Sequence, residues 1–231
     1  MFPGGIAYYG TTGMYASLYG ALQPYGTLNL TDASPAQSWV EPLTLADVKA
    51  FLVLQDSSGP ADGVDDDMVE FTFIPAAREM AEFFQGRDLV RKQFDLSLDY
   101  WSSYAFELRA PLVSVDLFTR TDSGGDVTTL VNGTDYIVDI AKMPGIVMPP
   151  YNVTWPTFTP WPSSAILIRF TSGYAPTHPF WLTAGQRIKM GMLYLISGWY
   201  EGRLPTTFGS VEEIPFAISS CLGFGKMERA R

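Results

Sequence analysis

The hydrophobic pattern changes its period twice along this chain, and no other sequence feature constrains the fold as strongly. Apolar residues first recur at helical spacing, on the stripe Phe73, Ala77, Met80 and Phe84. Beyond Arg91 they alternate with polar residues, as in Phe94, Leu96 and Leu98. Helical spacing then returns, on the stripe Ile188, Met192, Leu195 and Trp199. Because period 3.6 indicates a helix and period two a half-buried strand, the order is helix, strand, helix.

Helix signals flank the alternating block on both sides. Thr44 and Asp47 have the spacing of a capping box, so the first helix is expected to begin at Thr44. Pro75 lies inside the second helix and predicts a kink or a late start, and Gly86 is a natural stop. The expected spans of the second and later helices are about 66–85, 179–202 and 215–222.

Short strands separated by turn residues fill the middle of the chain. The expected strands are 94–98, 105–109, 113–119, 127–130, 136–139, 145–148 and 165–171. The run Asp-Ser-Gly-Gly at 122–125 predicts a hairpin turn. Five prolines in 149–162, together with Trp155 and Trp161, predict an irregular loop pinned by aromatic side chains.

These patterns predict an α+β fold, in which a small helical bundle is interrupted by an inserted antiparallel β-domain and preceded by an extended N-terminal arm. The expected limits are 1–40 for the arm, 41–90 for the first helical half, 91–174 for the β-domain, and 175–231 for the second helical half with the C-terminal tail. Neither helical half buries its apolar stripe alone, so we expect the two halves to pack together.

The N-terminal arm has an unusual composition. Residues 1–38 contain five tyrosines, six glycines and a single charged residue, Asp32. Such a segment cannot bury a core of its own. It is either a disordered tail or an extended arm that becomes ordered by packing against a neighbouring protein. Aromatic side chains are the usual anchors of such contacts. The candidate partner-contact residues are Tyr8, Tyr9, Tyr15, Tyr19 and Tyr25.

An acidic cluster lies just before the second helix. Its members are Asp56, Asp62, Asp65, Asp66, Asp67 and Glu70. The alternating ligand register of a calcium loop is missing, so we expect no metal site. The last aspartates are expected to cap the helix and favour its N-terminus. A negative rim on a DNA channel is a further interpretation, and for it the candidate acids are Asp62, Asp65, Asp66 and Asp67.

The sequence favours a protein that is not an enzyme. His178 and Cys221 are its only histidine and cysteine, so no histidine metal cluster or Cys–His pair is possible. No motif of a nucleophile elbow, phosphate loop or dinucleotide site occurs, and we expect no catalytic residue, cofactor or metal. The net charge of −9 argues against a basic face that grips nucleic acid. No apolar run is long enough for a transmembrane helix. Arg78, Glu79 and Glu82 are expected on the exposed side of the second helix.

Ordered short motifs over roughly residues 42–225 resemble those of phage head–tail connector (adaptor) proteins. In the helical parts the matching runs are Pro42-Leu-Thr-Leu-Ala-Asp-Val-Lys49, Ile74-Pro-Ala-Ala-Arg-Glu79, Gln85-Gly-Arg87, Gly198-Trp-Tyr-Glu201 and Ile214-Pro215. In the β-block they are Arg109-Ala-Pro-Leu-Val-Ser-Val115, Asp135-Tyr136, Pro144-Gly145, Trp161-Pro162 and Ser172-Gly-Tyr174. Each run is weak alone, whereas their order and spacing together are fairly specific. The arm at 1–38 and Pro75 depart from the family's pattern.

The resemblance implies a structural subunit of the bacteriophage virion. Such proteins form a homo-oligomeric ring, usually dodecameric, beneath the portal protein at the head–tail interface, after assembly in the host cytoplasm. The ring extends the DNA channel and is a docking platform for the next neck or tail protein, a stopper or tail terminator. Double-stranded DNA passes through it without sequence-specific binding. The resemblance implies no catalysis, no cofactor and no membrane.

An aromatic-rich β binding module, directed at carbohydrate, is the alternative function. Its stacking platforms would be Trp101, Tyr104, Tyr151, Trp155, Trp161 and Tyr174. Core packing and loop anchoring are the simpler explanation of the same residues. Binding of glycans by a monomer would favour the module, and ring assembly without a ligand would favour the connector.

Overall fold

The computed structural model describes residues 26–30, 40–53, 62–101, 104–202 and 216–223. The α-helices are α1 (Leu45–Leu52), α2 (Asp62–Met68), α3 (Ile74–Gln85), α4 (Ala184–Gly202) and α5 (Phe216–Gly223). A π-helical segment, Val69–Phe73, joins α2 to α3, and a 3-10 helix, Pro179–Leu182, precedes α4. The strands are β1 (Gly26–Leu30), β2 (Lys92–Leu98), β3 (Phe106–Leu108), β4 (Leu112–Thr121), β5 (Val127–Thr129), β6 (Ile137–Asp139), β7 (Gly145–Met148) and β8 (Ile166–Ser172).

The predicted α+β class is confirmed, and the chain divides into two compact units. The β-unit contains residues 93–171 together with β1, and the helical unit contains the described residues of 34–92 and 172–231. Each unit therefore has its own core. The four domain limits expected from the sequence stay predictions.

The β-unit contains two sheets. The larger sheet has the strand order β1-β2-β8-β4-β5, and the smaller has the order β3-β7-β6. The predicted hairpin turn at 122–125 joins β4 to β5, where Asp122 Oδ1 accepts hydrogen bonds from the backbone N–H groups of Gly124 and Asp126 at 2.8 and 3.1 Å. The core between the strands is apolar and aromatic, and its most buried members include Phe106, Phe118, Val147, Ile166, Ile168 and Phe170.

The arm differs from its prediction at one place. Residues 26–30 form strand β1, which pairs antiparallel with β2, Gly26 opposite Leu98 and Leu30 opposite Phe94. The alternation of Thr27, Leu28, Asn29 and Leu30 has period two, which the surrounding glycines and tyrosines obscure in the sequence. The other residues of the predicted arm, up to residue 39, lie outside the described residues.

The helical unit begins with the predicted capping box. The Asp47 N–H donates to Thr44 Oγ1 at 3.1 Å, and the Thr44 N–H donates to Asp47 Oδ2 at 2.9 Å. These hydrogen bonds satisfy backbone donors that no helical carbonyl can reach. They also lower the pKa of Asp47, chiefly through the bond with the Thr44 backbone.

The second helix begins earlier than expected and accommodates Pro75 by a change of winding. It starts at Asp62, continues through the π-helical segment, and ends at Gly86, which has a left-handed φ of 68°. Pro75 lacks an N–H, so an α-helical bond to the carbonyl four residues before it is impossible. In the π-helical segment the Ile74 N–H instead reaches the Val69 carbonyl, and Pro75 falls in the first turn of α3, where its missing donor costs little.

The last helices close the helical core. Ile188, Met192 and Leu195 are buried as predicted, whereas Trp199 is only half-buried against the core. The core residues with the smallest exposure are Val48, Ala77, Ala81, Leu89, Ile188, Met192, Ile196 and Leu222. Within the described part of the chain, no helix has the length and apolar character needed to cross a membrane.

Candidate functional site

The structure describes most of the candidate residues of the acidic cluster and none of the candidate tyrosines of the arm. Tyr8, Tyr9, Tyr15, Tyr19 and Tyr25 lie outside the described residues, as does Asp56. Asp62 is the first residue of α2, and Asp65, Asp66 and Asp67 follow in the same helix. The second helix, which the sequence predicted from about residue 66, therefore begins at Asp62.

The acids of α2 are partly engaged. Lys49 Nζ of α1 forms an ion pair with Asp66 Oδ2 at 2.6 Å, and both side chains are about a quarter exposed. Asp67 and Glu70 are exposed. In the described ranges no group of three or more His, Cys, Asp or Glu side chains is arranged to hold a metal ion. The use of Asp62, Asp65, Asp66 and Asp67 as a channel rim stays a prediction.

The aromatic residues suggested as carbohydrate platforms are largely used in packing. Trp101 stacks on Trp155 with ring centroids 4.7 Å apart and an interplanar angle of 10°. Trp155 Nε1 donates to the Tyr104 carbonyl at 3.0 Å, and Trp101 Nε1 donates to the Pro156 carbonyl at 2.9 Å. The two indoles therefore anchor the proline-rich loop. Of the two tryptophans that the sequence named for this role, Trp155 is one of these indoles, whereas Trp161 is 44% exposed.

Other members of the aromatic set do not join Trp101 and Trp155. Tyr174 is buried in the helical unit, where it stacks on Phe180 at 4.1 Å. Tyr104, Tyr151 and Trp161 are exposed. His178, the lone histidine, accepts a hydrogen bond at Nδ1 from the Phe180 N–H at 3.1 Å, so it caps the 3-10 helix.

A buried ion network runs through the helical unit, and it overturns one expectation from the sequence. Arg78 is 2% exposed and Glu82 is 4% exposed, although both were expected on the exposed side of the second helix. Of the three residues named in that expectation, only Glu79 is exposed, at 58% of its side chain. The physical reason is that both buried groups are paired, since an unpaired buried charge is very costly.

Glu82 is the centre of this network. Its Oε2 accepts from Arg78 Nη1 at 3.0 Å and from Lys92 Nζ at 2.5 Å, and its Oε1 accepts from the Leu89 N–H at 3.0 Å. The other side of Arg78 meets Glu41, whose carboxylate oxygens lie 3.1 and 3.0 Å from Arg78 Nε. Two cations and two carboxylates thus neutralise one another in the interior.

The protonation of Arg78 follows from these neighbours. Burial alone would lower its pKa, but the carboxylates of Glu82 and Glu41 outweigh burial and raise the pKa above the usual value for arginine. The guanidinium therefore keeps its charge. Both carboxylates of the network, those of Glu82 and Glu41, lie within 3.1 Å of this guanidinium.

A second polar group connects the two halves of the helical unit. Arg87 donates from Nη2 to Gln85 Oε1 at 2.6 Å and from Nη1 to Tyr174 Oη at 3.1 Å. Gln85 Nε2 donates to the Leu222 carbonyl, and Ser172 Oγ donates to Asp88. Residues 85–88 thus bind both the segment after β8 and helix α5.

Gly173 makes this contact possible. Its φ is +99°, and a Cβ atom at this position would lie 1.9 Å from the Val90 carbonyl oxygen. A side chain here would push the segment 172–174 away from residues 87–90. The polar residues Arg78, Gln85, Arg87, Ser172 and Tyr174 all come from the runs that carry the resemblance to connector proteins. Membership in those runs is the sequence feature that could have identified these residues as a group.

The β-unit has its own polar group on the open face of the larger sheet. Asp116 Oδ2 accepts from Gln93 Nε2 at 2.9 Å and from Thr171 Oγ1 at 2.7 Å, and Ser114 Oγ donates to Asp116 Oδ1 at 2.7 Å. Partial burial would raise the pKa of Asp116, but these hydrogen bonds and the nearby Arg169 lower it. Arg169 also forms a two-point pair with Asp95, at 2.8 Å for each contact.

Comparison with known proteins gives structural matches alone. No protein-family model matches the chain, and no curated protein matches it. A chain in the neck of an empty GTA particle, computed with C6 symmetry, matches with a TM-score of 0.65 and 20% identity, covering 89% of this chain and 97% of that one. A chain in the virion of a native gene transfer agent particle matches with a TM-score of 0.63 and 20% identity, covering 88% and 97%.

A third match comes from the neck of a native GTA particle computed with C12 symmetry, with a TM-score of 0.59, 18% identity, and coverage of 89% and 97%. In all three the match extends over nearly the whole of both chains. The helical unit and the β-unit therefore occur together, in one chain, in these particles. At this level of identity the matches show a shared fold.

Proposed function

We propose that this chain is a structural, non-enzymatic subunit of the neck of a phage-like virion. The observation that carries the proposal is the match over 89% of this chain and 97% of a chain in a GTA neck. A match to the β-unit alone would favour a binding module that occurs in many contexts. A match to both units favours a role that needs the whole fold.

Within that role, we assign the chain to the head–tail connector, as a homo-oligomeric ring beneath the portal. Two of the structural matches come from necks computed with C6 and C12 symmetry, which supports a ring for this chain as well. The polar residues of the connector-like runs lie in two buried polar groups of the helical unit, Arg78 in one and Arg87 with Tyr174 in the other, which supports the resemblance in the sequence. In this role the ring binds the portal on one side and the next neck or tail protein on the other.

Charge is consistent with DNA passing through such a ring. The chain carries a net charge of −9, and a protein that grips DNA needs cations to replace the counterions of the phosphates. An acidic wall binds DNA weakly and lets it slide. Asp62, Asp65, Asp66 and Asp67 are the candidate rim residues, and the tyrosines of the arm are the candidate contacts with a neighbouring protein.

Cross-linking mass spectrometry on purified particles tests the assignment. We expect cross-links from this chain to the portal protein, to the adjacent neck or tail protein, and between copies of itself. Image reconstruction of the same particles should place the chain in a ring on the portal axis. Cross-links to capsid or tail-fibre proteins alone, with no density at the neck, would contradict the proposal.

A further inference from the structure

The larger sheet of the β-unit ends in a strand whose outer edge faces solvent. In the described structure β5 pairs with β4, and it stands last in the order β1-β2-β8-β4-β5. All three of its residues are exposed, and Val127 is 64% exposed. An exposed strand edge presents backbone donors and acceptors that can pair with another strand.

The register between β4 and β5 fixes which backbone groups point outward. The Leu130 N–H donates to the Phe118 carbonyl at 2.8 Å, and the Asp122 N–H donates to the Asp126 carbonyl at 3.1 Å. In an antiparallel ladder, hydrogen-bonded and non-hydrogen-bonded pairs alternate. Residues 126, 128 and 130 therefore face β4, and the backbone groups of Val127 and Thr129 face away from it.

The other end of the same sheet is formed by β1. In the described structure β1 pairs with β2 on one side only. Its five residues, Gly-Thr-Leu-Asn-Leu, carry no charge, and no charge occurs from Val127 to Thr134 beside β5. Val131, which follows β5, is also 56% exposed.

The two strand edges are uncharged, whereas the chain as a whole is strongly negative. Copies with a net charge of −9 repel one another, so stable contacts between them are expected at uncharged surfaces. Many exposed edge strands carry a lysine or a proline that discourages pairing, and β5 carries neither. The sheet thus has two neutral edges that differ in sequence, as a head-to-tail contact requires.

We propose that the β5 edge of one copy pairs with the β1 edge of the next copy, so that the larger sheets join around the ring. This inference rests on the proposed ring and names the surface that closes it. The contact is heterologous, because two different edges of the same sheet meet, and repeated contacts of this kind generate a ring when the rotation closes. Main-chain hydrogen bonds give such strand addition its stability.

Disulfide trapping in assembled particles tests the pairing. The β1 register pairs Thr27 with Ser97 and Asn29 with Asp95, and Ser97 and Asp95 alternate with buried residues of β2. Positions 27 and 29 therefore stand in register with Ser97 and Asp95, and positions 127 and 129 alternate with buried Leu130. Double variants combine Thr27→Cys or Asn29→Cys in β1 with Val127→Cys or Thr129→Cys in β5. The four combinations test each register in which one of these β1 positions lies opposite one of these β5 positions. Cys221→Ser removes the native thiol in a background that is first checked for assembly.

We expect at least one double variant, after oxidation, to give a ladder of covalent multimers larger than the dimer on a non-reducing gel. The single-cysteine variants should remain monomeric, as should a control pair of Thr27→Cys with Thr72→Cys, since Thr72 is exposed in the helical unit. Dimers from Thr129→Cys alone would overturn the inference in favour of a symmetric β5 contact.

Two further outcomes separate this inference from the proposed function. If the chain is present in the neck ring and none of the double variants forms multimers, the edge pairing is wrong and the connector role stands. If the particles contain no copy of the chain in the neck, the proposed function fails, and the edge pairing fails with it.

Discussion

The two units of this protein differ in how many charged side chains they bury. In the helical unit Arg78, Glu82, Arg87, Asp88 and Lys92 are all buried, and each has a polar partner. The β-unit has an apolar and aromatic core, and its main ion pair, Arg169 with Asp95, lies on the open sheet face. Its buried Arg109 is the exception, and the guanidinium carbon lies 4.5 Å from the centre of the Phe94 ring.

The difference follows from how each unit specifies its packing. In a sheet, a slip of one residue turns every apolar side chain to solvent, so alternation alone fixes the register. In a helical core assembled from segments far apart in sequence, apolar stripes can shift with little loss. We infer that the network around Glu82 fixes which packing the helical unit adopts, because a shifted helix would leave buried charges without partners.

The largest expected effect comes from Glu82→Gln. The substitution keeps the size of the side chain and removes the charge that balances Arg78 and Lys92. Removing one partner of a buried ion pair typically costs about 3–5 kcal/mol, and we expect a loss in this range in the free energy of opening of the helical unit. Hydrogen exchange measures it, through the amides of α3 and α4.

Two matched variants sharpen this comparison. Glu79→Gln removes an exposed charge one turn away, 3.6 Å from Arg78, and should cost less than about 0.5 kcal/mol. Asp95→Asn removes an acid from an arginine pair in the β-unit and should cost less than about 1 kcal/mol, because that pair faces solvent. Equal losses for Glu82→Gln and Asp95→Asn would contradict the contrast between the two units.

A smaller effect is expected from Trp199→Ala. The sequence placed Trp199 on the most apolar stripe, where truncation of a large aromatic costs about 3–5 kcal/mol. In the structure Trp199 is half-buried and its ring centroid lies 6.1 Å from that of Phe73. We therefore expect a loss of about 1–3 kcal/mol in a denaturant titration. A loss above about 4 kcal/mol would show that Trp199 is a full core residue.

Alternation in the sequence predicted the β-unit well. The strand expected at 145–148 is β7, and the strands expected at 94–98 and 165–171 differ from β2 and β8 by one or two residues at their ends. β2 and β8 each bury one face against the core, so their buried and part-exposed residues alternate with the period of a strand. The short strand β1 was missed because only its residues 27–30 alternate.

The helical unit was harder to predict, because burial there does not follow polarity. Helical periodicity assigns Arg78 and Glu82 to the solvent side, and it cannot show that Glu41 and Lys92, far from them in sequence, neutralise them. Ala77 and Ala81 beside them are fully buried, and such small residues allow close packing. The early start of α2 was missed for a related reason, since the charged and glycine-containing residues 62–65 have the composition of a solvated loop and yet belong to the helix.

A still smaller effect, which fades as the pH falls, is expected from Asp116→Asn. Hydrogen bonds hold the pKa of Asp116 below its ordinary value of 3.8, so its contribution is present above that value and is lost as the pH falls through the lower folded pKa. Asp116→Asn should therefore lower the stability of the β-unit at neutral pH and change it little in strong acid, so that the acid limb of its stability–pH curve becomes flatter. Ser123→Ala, at the hairpin turn, removes no titratable group and is the control, so it should leave the shape of the limb unchanged. Identical acid limbs for Asp116→Asn and wild type would refute the assignment.

The smallest expected effect is that of calcium on the acidic helix start. A bound ion would stabilise the folded state by mass action and would relieve the repulsion among Asp65, Asp66 and Asp67. Asp66 already pairs with Lys49 at 2.6 Å, and the described residues contain no cluster with metal-ligand geometry. We expect millimolar calcium to change the melting temperature no more than a monovalent salt of equal ionic strength.

The matched variant for calcium is Asp65→Asn with Asp67→Asn, which should leave the fold intact and slightly stabilise it by reducing repulsion between like charges. Its response to calcium should equal that of wild type. A calcium-specific rise in melting temperature that the double variant abolishes would establish a metal site at the start of α2. That result would also place a functional charged group of the helical unit on its surface, outside the buried network around Glu82.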